Sequence, residues 1–113
     1  MNATGLLLHV SGAEAAQIQA GIRTALNARA QLPQVVVELV LQGACVSFLE
    51  AGSVLEPELS ALAGGLVRVL ACANSLRSAE MEATQLHDGV GIVPAAVAHL
   101  ATRQLEGWAY VRV

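Results

Sequence analysis

Few side chains in this chain have the makings of covalent or acid–base chemistry, and the most suggestive is a cysteine. In VLACANSLRS, residues 69–78, Cys72 stands where an apolar, β-branched run ends and a polar turn begins. Ligands of open α/β sheets bind beyond the carboxyl ends of strands, so a thiol at that place is well sited for work. A helix starting a few residues later brings free N–H groups and a dipole that stabilise a thiolate, lowering a pKa that begins at about 8.5. Ala73 leaves room above the sulfur, and Asn74 and Ser75 offer donors beside it. The competing reading is that Cys72 packs as a small hydrophobe, as most buried cysteines do.

The other reactive groups point elsewhere. Cys45 also follows a strand, and a dithiol with Cys72 is conceivable, but Cys45 shares a helical stripe with Phe48 and Leu49, which favours burial in the core. His9 ends a strand, His87 lies in a turn and His99 sits in a helix, with no metal-ligand spacing among them. His99 and Arg103, one turn apart, form a cationic pair that could attract an anion; a solvated or interface face is the plainer reading. The only aspartate is Asp88, and Glu80 and Glu82 read as first-turn helix residues, which leaves a paired-carboxylate mechanism without support. Gly89-Val90-Gly91 precedes a strand and lacks a third glycine, and neither a phosphate-binding loop nor a serine-hydrolase elbow is present. No cofactor or metal is expected.

The elements that must position Cys72 follow from pattern. Gly5–Val10 reads as a first strand, and Ser11 with Glu14 as a capping box opening a helix from Ala13 to Gln31, whose stripe is Ile18, Ile22, Ala25 and Leu26. Val35–Leu41, VVVELVL, is a strand covered on both faces and central in its sheet. Short helices follow over Ala44–Ala51 and Pro57–Ala63, the second ending at Gly64-Gly65, before a third strand over Leu66–Ala71. Ser78 caps a helix reaching Leu86, and Val90–Val93 is a fourth strand. Pro94 opens a helix to Glu106, stopped by a left-handed Gly107, and Trp108–Val113 is a fifth strand.

Strands alternating with helices predict one α/β domain, a three-layer α/β/α sandwich around a five-stranded, mostly parallel sheet. At 113 residues there is room for one core. Hydrophobic residues make up 55% of the chain and aromatics 3%, so Ala, Val and Leu must build that core. The net charge of −3, with six scattered arginines and no lysine, argues against nucleic acid as partner. No apolar run approaches the ~20 residues of a spanning helix, and the N-terminus lacks a basic segment, so a cytoplasmic protein with reduced thiols is expected. The apolar excess is better explained by a buried interface between copies than by lipid.

Several stretches together carry a resemblance: Asn27 in ALNARA, the segments VVVELVLQGACVSFL and LVRVLACANSL, then GVGIVPAAVAHLATRQ and the closing EGWAYVRV. In these the chain resembles the DsrE/DsrF-like family, small α/β proteins of intracellular sulfur relay, nearly from end to end. The resemblance implies that Cys72 accepts sulfur as a persulfide and passes it on, with Asn74 and Ser75 as the polar turn beside it. His99, Arg103, Gln104, Gly107 and Trp108 match a C-terminal signature with a partly structural role. It further implies a homotrimer or homohexamer with the cysteine near a subunit boundary, and sulfur donor and acceptor proteins as partners. Ala96 stands where many relatives have glycine, which puts a close backbone approach there in doubt, and Gln42 replaces a histidine or serine. The alternative function is a non-catalytic homo-oligomer that binds a small ligand or protein, with Cys72 merely lining the pocket.

Overall fold

The computed structural model describes residues 5–62, 65 and 67–113. Its strands are β1 (Gly5–Ser11), β2 (Val36–Gln42), β3 (Val67–Cys72), β4 (Val90–Val93) and β5 (Ala109–Arg112). They pair in parallel throughout, in the order β4-β3-β2-β1-β5. The central place of β2 is the one its composition predicts, since Val37 to Leu41 are buried without a break. The helices are α1 (Ala15–Gln31), α2 (Glu56–Leu62), α3 (Ala73–Ser78) and α4 (Ala96–Leu105).

The order of strands decides which helix covers which face. From β1 to β4 the chain steps steadily toward one edge; right-handed crossovers in one direction keep the connecting helices on one side. The last crossover returns from β4 past the whole sheet to β5, which throws α4 to the opposite side. The side chains agree. Val37, Leu39 and Leu41 of β2 pack with Ile18, Ile22 and Ala25 of α1 and Leu76 of α3, whereas Val40 packs with Leu7, Cys72 and with Ala96 and Leu100 of α4. No helix among the described residues is long and apolar enough to cross a membrane.

Local boundaries differ from the sequence expectations in informative ways. The capping box at α1 is formed by Glu14 and Gln17, not Ser11 and Glu14: the Gln17 side chain accepts from the Glu14 and Ala13 N–H groups at 2.9 Å. Residues Ala44–Leu49 form a 3-10 turn rather than an α-helix, still with Cys45 and Leu49 buried and Phe48 partly so. The expected helix from Ser78 to Leu86 is absent. The chain instead turns into α3 directly from β3 and closes it at Ala79, leaving only a short 3-10 turn over Ala83–Gln85.

The end of α3 explains the difference. Met81 N–H donates to the Leu76 carbonyl at 2.9 Å and Glu80 N–H to that of Arg77 at 3.0 Å, the double bond pattern of a Schellman stop. Glu80, with φ of 57°, occupies the left-handed position usually taken by glycine. Neither Glu80 nor Glu82 is therefore a first-turn helix residue: Glu80 terminates α3 and Glu82 caps the 3-10 turn. Gly107, with φ of 100°, ends α4 as its position suggests. Trp108 stays outside β5, and a side chain at Gly5 would collide with its ring. The expected end of α2 at Ala63-Gly64 and start of β3 at Leu66 lie outside the described residues.

Candidate functional site

Along β3, Val67, Val69 and Ala71 face the α1 side, while Leu70 and Cys72 face α4. Past Cys72 the chain leaves for α3 on one side of the sheet; past β4 it leaves for α4 on the other. The crevice that opens where neighbouring connections part is the ligand site of open α/β sheets. A cavity of about 350 Å³ occupies it, lined by the end of β2 (Gln42, Gly43), by Cys72, and by the starts of α3 and α4. Cys72, Asn74 and Ser75 come together there as expected, while no charged side chain among the described residues lines the cavity.

Cys72 is buried, 2% exposed, yet it borders this cavity. Burial alone would push the thiol up. Against it work the backbone N–H of Ser75, that of Ala96, the Ser75 hydroxyl and the Asn74 N–H, and together they hold the thiol below its ordinary value. Two of these groups can be traced to the fold. Cys72 is itself the cap residue of α3, so the first N–H groups of that helix have no carbonyl to bond and lie near the sulfur, favouring its charged form without a cap hydrogen bond. Ser75 Oγ accepts the Gly43 N–H at 2.8 Å, which leaves its own proton free for Sγ. Gly43 meets this demand with φ of 89°, and a Cβ there would come within 3.0 Å of the Gly12 carbonyl oxygen.

The Ala96 N–H donates to Sγ at 3.4 Å. The doubt raised by alanine at this position is thus removed: its methyl group is buried, and the backbone approach survives. The Asn74 contribution differs from expectation as well. Its side-chain oxygen is taken by the Arg77 guanidinium on the exposed side of α3, and only its backbone faces the thiol.

His99, Arg103 and Gln104 do not line the cavity. His99 Nε2 bonds Glu38 Oε1 at 2.7 Å, and Arg103 reaches both oxygens of the same carboxylate, at 3.3 and 3.1 Å. Neither residue lies on a solvated face, nor is the pair free for an incoming anion. Burial would raise the Glu38 carboxyl, but Arg103 and His99 hold it below the usual range. Arg68 approaches from β3 at 3.5 Å, and the Arg103 guanidinium lies 4.6 Å from the centre of the Trp108 ring. The C-terminal signature is therefore a clamp that fixes α4 to β2 through two successive turns. Gln104 turns back to the Leu100 carbonyl at 3.2 Å and borders a different hollow, with His9 and Tyr110.

Glu38 escaped the sequence reading, although a lone carboxylate inside VVVELVL is a signal: a charge in a fully covered strand needs partners. Cys45 packs in the α1-side cluster, on the other face of the sheet from Cys72, and burial pushes its thiol up, so the two do not form a dithiol. His87 is buried against Ser60 at 3.2 Å and Glu56 at 3.4 Å, tying its turn to α2.

The profile of the DsrE/DsrF-like family matches residues 6–113. Two solved structures are similar over 97% of this chain and 99% of theirs. One is a protein of unknown function, MTH1491 from Methanobacterium thermoautotrophicum, 33% identical with a TM-score of 0.89. The other is the ychN protein from E. coli, 19% identical with a TM-score of 0.82, a likeness of fold. No curated protein matches. With its fold, its strand-end cysteine and these matches in agreement, the chain belongs to the DsrE/DsrF-like family.

Proposed function

We propose that this protein is a sulfur carrier in which Cys72 takes up sulfane sulfur, holds it as a persulfide and delivers it to an acceptor. The observation that carries the reading is the convergence of the Ala96 N–H and the Ser75 donors on a thiol that borders an open cavity. A thiol that only packs has no use for such a set. Membership of a family known for sulfur relay supports the same reading.

The step is a sulfur exchange without net oxidation. The Cys72 thiolate attacks the outer sulfur of an organic persulfide; a new S–S bond forms at Sγ as the donor's S–S bond breaks. The electron pair leaves on the donor's thiolate, and the outer sulfur carries its proton across and then releases it to water, since a persulfide is a stronger acid than a thiol. Delivery runs the same exchange onto an acceptor thiolate. One partner supplies the sulfur, another removes it, and the chain works in the cytoplasm as an assembly of its own copies.

Intact mass after incubation with an organic persulfide tests the proposal. Wild-type protein should gain the mass of one sulfur atom, and Cys72→Ser should not. No gain, or an equal gain in the variant, overturns it. A Cys72 thiol that titrates at the free value of about 8.5 would favour the non-catalytic binding module instead.

A further inference from the structure

The donors described so far converge on Sγ, the inner sulfur of a persulfide. The outer sulfur would sit about 2 Å further on, inside the cavity, and needs a partner of its own. Gln42 is placed for it. The ladder of β2 and β3 runs to Leu41 and Ala71, so Gln42 and Cys72 are the next residues of adjacent strands, which run about 4.8 Å apart. Alternation puts both on the α4 side, with Val40 and Leu70, and both line the cavity.

The bonding of the Gln42 side chain is divided. Its Oε1 bonds His9 Nε2 at 2.8 Å, and His9 Nδ1 bonds the Tyr110 hydroxyl at 2.8 Å. With Nε2–H donating to the amide oxygen, Nδ1 of a neutral ring accepts from the Tyr110 O–H. The chain from β5 through β1 to β2 therefore turns the amide oxygen away from Cys72. The amide N–H₂ is left over, with no partner among the described residues.

We infer that the Gln42 amide is the binding group for the outer, negatively charged sulfur of the Cys72 persulfide, with His9 and Tyr110 as positioning residues that fix its rotamer. This rests on the carrier reading above. Since no charged side chain among the described residues lines the cavity, a neutral donor holds the transferred sulfur without trapping it. The cavity thus divides its donors: Ala96 and Ser75 serve the thiolate, and Gln42 serves its cargo.

The test follows loaded protein over time. Wild type, Gln42→Met, Gln42→Glu and Tyr110→Phe are loaded with an organic persulfide and desalted, and loss of the added sulfur is read by intact mass. In parallel, the pH midpoint of Cys72 alkylation is measured on the unloaded proteins. Gln42→Met keeps the length and removes the donors; Gln42→Glu keeps the oxygen for His9 and replaces the donors with a charge. Both should lose sulfur about tenfold faster, the worth of one hydrogen bond to a charged acceptor, and Tyr110→Phe a few times faster, with the Gln42→Met midpoint unmoved. A general disturbance of the site would move midpoint and lifetime together, and that result overturns the assignment. So does a wild-type lifetime in both Gln42 variants. If wild type itself takes up no sulfur, the carrier reading falls, and this assignment with it.

Discussion

Ser75 stands between two groups, accepting from the Gly43 N–H and favouring the charged form of the Cys72 sulfur through its hydroxyl. Removing its hydroxyl leaves burial, which works the other way, with one opponent fewer. Ser75→Ala is therefore expected to raise the pH midpoint of Cys72 alkylation by about one pH unit, the worth of one hydrogen bond to a charged group. A rate-against-pH profile with iodoacetamide reads this directly, and an unmoved midpoint would remove Ser75 from the site. The cysteine itself was legible in the sequence because a strand end and a polar turn are local signals. The roles of Gln42, His9 and Glu38 were not, since each depends on which face of a strand points to which neighbouring element.

At the level of elements, α3 shows how a short helix is fixed by its two ends. It starts at Cys72 and stops at a left-handed Glu80, a conformation that costs a non-glycine residue about 1–2 kcal/mol. Glu80→Gly relieves that cost and adds back unfolded-chain entropy of about 0.5–1 kcal/mol. The expected outcome is a net stabilisation of about 0.5–1 kcal/mol in urea denaturation, and a loss of stability would contradict the account of the stop. The reading of a later helix went astray here because a carboxylate in place of glycine conceals the stop signal.

The clamp on α4 makes a second prediction. The Glu38 carboxyl is lowered in the folded state, so its contribution is complete above the ordinary glutamate value of about 4.3. It is lost as pH falls through the lower folded-state value. Glu38→Gln should cost about 2 kcal/mol near neutral pH and flatten the acid limb of the stability curve, because the neutral side chain has no charge to lose. Denaturation at neutral and acid pH separates the two effects. An acid limb as steep in the variant as in wild type would assign that limb to other carboxylates.

Across the whole molecule, the return of the chain from β4 to β5 leaves α4 as the single helix, among the described residues, on its side of a five-stranded sheet. Val97 and Leu105 of that helix are 65% and 90% exposed. Under the proposal that copies of the chain assemble over this side, light scattering is expected to report a multiple of 11.7 kDa. A monomer at micromolar concentration would refute this. The alternating pattern of strands and helices announced the layered fold before any coordinates. The crevice at Cys72 came only with the order of the strands, because pairing between distant segments leaves no local mark in the residues.

The absence of charged side chains among the described residues that line the Cys72 cavity bears on how the thiol meets the outside world. A thiolate balanced by a neighbouring cation loses that help as salt is added, since mobile ions compete for both partners. Fixed dipoles within hydrogen-bond reach are not diluted in this way. Alkylation of Cys72 should proceed with the same pH midpoint in ~0.05 M and ~1 M salt, where the screening length falls several-fold. A midpoint that climbs with salt would expose a hidden ionic partner.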